Sequence, residues 1–260
     1  TPSYIVDGYS IYRASLQGGM NEFVTFPRYD TSGYKGGSDI KGAITGISPF
    51  TINNDTLLAV GFSDNPLEGN NHCLGVYSLS QKKWTVEREV VGQKRSTGLD
   101  QEPQVWQNKI YMVMNSFVTC NDAITGKSIW YKNIGDNVNF LFSGFIIQNG
   151  KIYANDSFGN LHCIDAVTSK EYWVEPTSGT SSDMVYLDGV VYLVGGGDGL
   201  LHAIDAETGT TLWKVKSPDA SKYNDGNFDR FCAAVPGSFG SKGRVVVSSG
   251  YNAYCYEAAK

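Results

Sequence analysis

The chain has 260 residues, 41% of them hydrophobic and 13% aromatic, with 30 glycines and a net charge of −5. That apolar content supports a packed core and argues against a disordered chain, and the mild acidity without a basic patch argues against a nucleic-acid partner. No run of about 18 apolar residues occurs, so no membrane-spanning helix is expected.

From the N-terminus, Ser3 to Val6, Tyr9 to Ala14 and Phe23 to Pro27 read as three strands. The first residue is Thr1, not Met, so a processed or trimmed chain is expected. Thr56 to Phe62, Leu74 to Leu79 and the run around Trp84 form a second set. Lys109 to Met114, Phe117 to Ala123 and Ile129 to Tyr131 follow the turn dipeptide Gln107-Asn108. Lys151 to Ala154, Leu161 to Ala166 and Tyr172 to Val174 follow Asn149-Gly150. Ser182 to Leu187 precedes Asp188-Gly189, then come Val190 to Val194, Leu200 to Ala206 and Thr211 to Val215. Arg244 to Val247 and Asn252 to Ala258 close the series.

Three stretches within this series are near copies. They run from Cys120-Asn121-Asp122 to Gly126 and Trp130, from Cys163-Ile164-Asp165 to Ser169 and Trp173, and from Ala203-Ile204-Asp205 to Gly209 and Trp213. Asp and Trp stand eight residues apart in each, and Trp84, Trp130, Trp173 and Trp213 follow at steps of 46, 43 and 40. A period of this size marks stacked supersecondary units, none of which buries both faces alone. Four short antiparallel strands per unit, packed radially, make an all-β fold of the β-propeller type. About six blades fit in one domain of residues 1–260, the first and last being incomplete or shared. The alternative is a fragment of a seven- or eight-bladed ring. Residues 28–40, 63–71 and 217–227 break the period and read as loops, where a repeat scaffold carries function.

The stretch Gly199 to Trp213 closely resembles the repeat of the pyrroloquinoline-quinone-like propeller superfamily, and the resemblance spans most of the chain. It implies that Asp122, Asp165 and Asp205, with Gly126 and Gly209, build tight turns. It also implies that Trp130, Trp173 and Trp213 pack between blades. Ser169 replaces glycine in one copy, and Trp84 follows a degenerate turn. Quinone-dependent dehydrogenases of the superfamily are longer and are marked by a vicinal cysteine pair and a calcium or lanthanide site. This sequence has no vicinal cysteines. The resemblance therefore points toward the non-enzymatic scaffold members of bacteria.

Residues repeated in every unit point to architecture, because one active site needs one copy. Cys120, Cys163 and Cys255 share a repeat position, which suits small buried side chains better than metal or redox chemistry. His162 and His202 are likewise equivalent, and with His72 they are the only histidines. Gly126-Lys127-Ser128 mimics a phosphate loop but lacks the earlier glycine that loop needs. Asp219, Asn224, Asp225, Asn227 and Asp229 make an oxygen-rich loop without the spacing of a calcium hand. Asn54-Asp55-Thr56 and Asn155-Asp156-Ser157 match glycosylation sequons by pattern. Tyr9, Tyr12, Tyr29 and Tyr34 with Arg13, Arg28 and Lys35 form an aromatic and basic group suited to recognition.

The reading is a non-catalytic binding or scaffold propeller of an exported bacterial protein, in the periplasm or at the cell surface. It recognises a protein or carbohydrate partner through loops and needs neither quinone nor calcium. The alternative is a quinoprotein-like oxidoreductase or cofactor-binding protein, and a third reading is glycan processing or sensing within a larger polypeptide.

Overall fold

A computed structural model of the chain describes residues 3–7, 10–14, 20–25, 43–63, 72–91, 101–114, 116–135, 138, 140, 144–179, 183–222 and 226–260. Among these residues every regular element is a strand. Residues 1–134 and residues 135–260 form two compact units of three sheets each.

In the first unit, β1 (Ser3–Asp7), β2 (Ser10–Ala14) and β3 (Met20–Thr25) make a three-stranded sheet. The second sheet comprises β4 (Ala43–Ile52), β5 (Asp55–Ser63), β6 (His72–Ser78) and β7 (Lys83–Val90). The third comprises β8 (Gln104–Trp106), β9 (Lys109–Met114), β10 (Phe117–Asp122) and β11 (Ser128–Asn133). In the second unit, the fourth sheet comprises β12 (Phe145–Gln148), β13 (Lys151–Asn155), β14 (Asn160–Asp165) and β15 (Glu171–Pro176). The fifth comprises β16 (Val185–Leu187), β17 (Val190–Val194), β18 (Leu200–Asp205) and β19 (Thr211–Lys216). The sixth comprises β20 (Phe228–Val235), β21 (Arg244–Ser249) and β22 (Ala253–Glu257).

Spatial order equals chain order in every sheet, so each is an antiparallel meander. The hairpin between the first two strands of a four-stranded sheet has both turn residues at positive φ. They are Asn53 and Asn54 (50° and 64°), Gln107 and Asn108 (48° and 57°), Asn149 and Gly150 (52° and 74°), and Asp188 and Gly189 (48° and 78°). Two-residue turns of this hand match the twist of the strands they join, and Asn, Asp and Gly enter that region at least cost.

Burial follows position in the sheet. The middle strands are buried on both faces, as in β17 and β18, whereas the outermost β15 and β19 alternate half-buried with exposed. Apolar clusters then join successive sheets within a unit. Ile11, Leu58 and Phe62 link the first and second sheets, Leu74, Val86, Ile110 and Met112 link the second and third, and Tyr192, Ala203, Phe228 and Val247 link the fifth and sixth.

One row recurs across three sheets. Tyr111, Cys120 and Trp130 stand opposite one another, as do Tyr153, Cys163 and Trp173, and Tyr192, Ala203 and Trp213. The Tyr and Trp rings meet at 6.1, 5.8 and 5.9 Å between centroids. Only a small central side chain lets two large rings reach each other across the middle strand, which accounts for cysteine or alanine there.

Two expectations are corrected, and four strands are new. The first strands β4, β8, β12 and β20 were not legible: β8 has three residues, β4 carries Gly46 and Pro49, and a bulge between Phe228 and Cys232 breaks β20. Cys255 is exposed rather than buried, although it lies on the strand equivalent to that of Cys163. Trp84 departs from the row, because it stands opposite Tyr77, makes an edge contact with it at 5.3 Å and lies over Gly75 of its own sheet.

Candidate functional site

The repeated Asp residues form the turns at one edge of the sheets. Asp122 Oδ1 accepts from Ile124 N at 3.1 Å, Thr125 N at 2.8 Å and Thr125 Oγ1 at 2.9 Å. Asp165 does the same with Val167 and Thr168, and Asp205 with Glu207 and Thr208. The carboxylate thus replaces backbone partners inside the turn. The Tyr172 hydroxyl and these donors hold Asp165 down to about 2, while the Lys260 ammonium and its own turn hold Asp205 below the usual carboxylate range. Gly126 and Gly209 close their turns at φ 73° and 78°, and Ser169 adopts the same region at 60°. The copy without glycine therefore keeps the turn geometry. In the degenerate second sheet, Asp55 supplies the carboxylate instead, accepting from Ser78 Oγ and Ser80 N.

The opposite edge of the second unit carries a continuous layer of turns. Asn155 Nδ2 donates to Gly179 O at 2.5 Å, and Thr177 Oγ1 donates to Asn155 Oδ1 at 2.5 Å. Gly179 also approaches Gly159 and Gly197, with Ser178 Oγ against Gly197. Phe228 N donates to Gly199 O at 3.3 Å, and Asn227 packs on Gly199. Asp219 accepts from Ser249 Oγ at 2.6 Å and from Asn252 Nδ2 at 3.0 Å. The turns at 156–159, 195–199 and 250–252 are tied in this way through residues 177–179, Asp219 and residues 227–228. Phe158 and Tyr251 stand at the tips of the two outer turns, 66% and 53% exposed.

Two histidines anchor the layer from below. His162 sits in β14, with Nε2 3.1 Å from Asp156 Oδ2 and Nδ1 2.8 Å from Glu171 Oε1. Burial works against its charged form, but the two carboxylates outweigh burial and raise its pKa. Asp156 is itself 1% exposed, and its other oxygen accepts from Phe158 N and Asn160 N, each at 2.9 Å. His202, in the equivalent place on β18, has one carboxylate, Asp198 Oδ2 at 3.0 Å, and stands opposite Lys214. Burial with Lys214 outweighs Asp198 there and lowers its pKa. Sequence comparison equated the two histidines. The Asp–His pairing escaped it because Asp moves from the start of one turn, 156, to the end of the next, 198.

Among the described residues the remaining candidates do not converge. Burial pushes the Cys120 thiol up to about 11 and those of Cys163 and Cys232 up to about 12, so these are unreactive packing groups. No disulfide joins the five cysteines. Lys127 of the phosphate-loop mimic pairs with Glu89 Oε2 at 3.0 Å. Asp219 accepts from Ser249 and Asn252, and Asn224 and Asp225 of the oxygen-rich loop lie outside the described residues. Asn155 of the second sequon is buried and fully hydrogen bonded, whereas Asn54 of the first is exposed. Of the N-terminal aromatic and basic group, Tyr9, Arg28, Tyr29, Tyr34 and Lys35 lie outside the described residues, as does the 28–40 loop. Among the described residues no three His, Cys, Asp or Glu side chains come together as metal ligands.

Residues 114–225 match the family model described as outer membrane protein assembly factor BamB. A solved chain of the mitotic checkpoint complex superposes with a TM-score of 0.66 at 13% identity, over 98% of this chain and 69% of that one. BamB from Moraxella catarrhalis gives 0.52 at 13% identity, over 98% and 81%. A europium-containing methanol dehydrogenase gives 0.59 at 14% identity, over 84% of this chain and 51% of the enzyme. No curated protein sequence matches the chain. At these identities the solved structures establish the fold, a β-propeller of antiparallel blades.

Proposed function

We propose that this chain, whose repeats are those of the pyrroloquinoline-quinone-like propeller superfamily, is a non-catalytic scaffold acting outside the cytoplasm, and that it takes a protein partner on the turn layer of residues 135–260. The observation that carries this reading is the pair Phe158 and Tyr251, large aromatic side chains exposed on turns whose own polar groups are satisfied within the layer. Aromatic groups held by a rigid scaffold give contact area with little loss of side-chain freedom, which is why they dominate binding hot spots. The family match to an outer membrane assembly factor supports both a protein partner and a place outside the cytoplasm. In this reading the repeated Asp, Gly and Trp residues hold the blades and touch no ligand, and the protein works without quinone or calcium.

Phe158→Ala and Tyr251→Ala are each expected to weaken partner binding roughly 10- to 100-fold while leaving the unfolding midpoint unchanged. A photo-crosslinking residue at 158 identifies the partner, and titration of the purified pair gives the affinity. Undiminished binding by the double variant would sink the reading. Purified protein carrying the absorbance of a bound quinone would replace it with the oxidoreductase, and saturation by a glycan would move it to carbohydrate recognition.

A further inference from the structure

His162 faces a carboxylate at each ring nitrogen, Asp156 at Nε2 and Glu171 at Nδ1. A neutral imidazole has one N–H and one lone pair, so it donates to one carboxylate and turns its lone pair on the other. Only the imidazolium satisfies both. Asp156 is the group with most at stake, because it is buried and its second oxygen caps the turn at Phe158 N and Asn160 N. Asn160 Nδ2 adds bonds to both oxygens at 3.3 and 3.0 Å. The neighbours opposite His162 in the sheet, Ala154 and Val174, are uncharged, and Phe140 packs its ring edge-on at 6.0 Å. Asp156 and Glu171 are thus the charged groups that face this imidazole.

From this geometry we infer that the 156–160 turn is a proton-linked latch: the His162 imidazolium locks it, and loss of that proton loosens the turn that presents Phe158. The inference rests on the proposed role of Phe158 for its biological meaning, but the latch itself is a property of the free protein. The sign follows from the raised pKa of His162. The latch is fully closed below about 6.5, the ordinary imidazole value, and opens as pH rises through the higher folded-state value. The equivalent turn at 195–199 is an internal control, because His202 has one carboxylate and a single N–H satisfies it.

The test uses the whole chain and no partner. Amide hydrogen-exchange protection of Phe158 and Asn160, corrected for intrinsic base catalysis, is measured against pH beside the imidazole resonances of His162 and His202. Protection at both amides is expected to fall roughly tenfold across the His162 titration, with Leu200 unchanged over the same range. Glu171→Gln, at a part-exposed position, should move the His162 midpoint and the loss of protection down in pH together. His162→Gln should remove the pH dependence. Flat protection through the His162 titration overturns the latch, as does an unshifted transition in Glu171→Gln. Failure of Phe158→Ala to affect partner binding sinks the proposed interface and leaves this result untouched.

Discussion

Gly209→Ala is expected to destabilise the protein by about 3 kcal/mol, because it adds backbone strain to a steric clash. Gly209 sits at φ 78°, where an L side chain is disfavoured, and an added Cβ would lie 2.7 to 2.9 Å from three atoms of the Trp173 indole. That indole has little room to retreat, since it packs on Tyr153 at 5.8 Å. In a chain of this size the loss corresponds to a fall of about 6–12 °C in the unfolding midpoint. Ser169→Gly is the complementary test. Serine there already stands at φ 60°. Relief of about 1–2 kcal/mol of left-handed strain, less the greater chain entropy of glycine, should leave a gain of about 0.5–1 kcal/mol. Denaturant unfolding of the two variants measures both. Equal and small effects would mean that the turn relaxes freely and that the glycine is not a packing residue.

Tyr153→Ala carries the largest expected loss, about 4 kcal/mol, typical of deleting a buried aromatic ring. Tyr153 is 2% exposed and stands at the centre of the fourth sheet, opposite Cys163 and stacked toward Trp173. Its hydroxyl also donates to Ala206 O at 3.1 Å, joining the fourth sheet to the fifth. Tyr153→Phe removes only that bond and should cost about 1 kcal/mol. The two variants separate ring packing from the polar tie. A phenylalanine variant as unstable as the alanine one would show that the hydroxyl, not the ring, holds the sheets together. Tyr192 makes the comparable tie one sheet later, accepting from Ala259 N at 2.8 Å, so the pairing belongs to the repeat rather than to one residue.

Particular residues show how far the sequence could be read. The three-copy stretch ending in Trp130, Trp173 and Trp213 was sufficient for the meander, because its turn residues act locally. Asp122, Asp165 and Asp205 each bond backbone groups two and three residues on. The dipeptides Gln107-Asn108, Asn149-Gly150 and Asp188-Gly189 give their hairpins from local φ preferences alone. The first strands β4, β8, β12 and β20 are less visible, since each is an edge strand held by one neighbour, and an edge tolerates Pro49 and a bulge. Copy comparison also removed the repeated Asp residues from consideration as catalysts, yet it equated two histidines that their surroundings drive in opposite directions.

The sequence by itself determined the repeat, the strand-and-turn alternation and the all-β fold. Those depend on period, on turn residues and on contacts a few positions apart. Only the tertiary structure decided which polar groups meet. It placed Glu171 of β15 beside His162 of β14, brought Asp219 to Ser249 and Asn252, and buried the Asn155 sequon while leaving Phe158 and Tyr251 exposed. These partners lie 9, 30 and 33 residues apart. Such distances are closed by sheet packing, so the chemistry of the turn layer belongs to the arrangement of the strands and not to any one stretch of the chain.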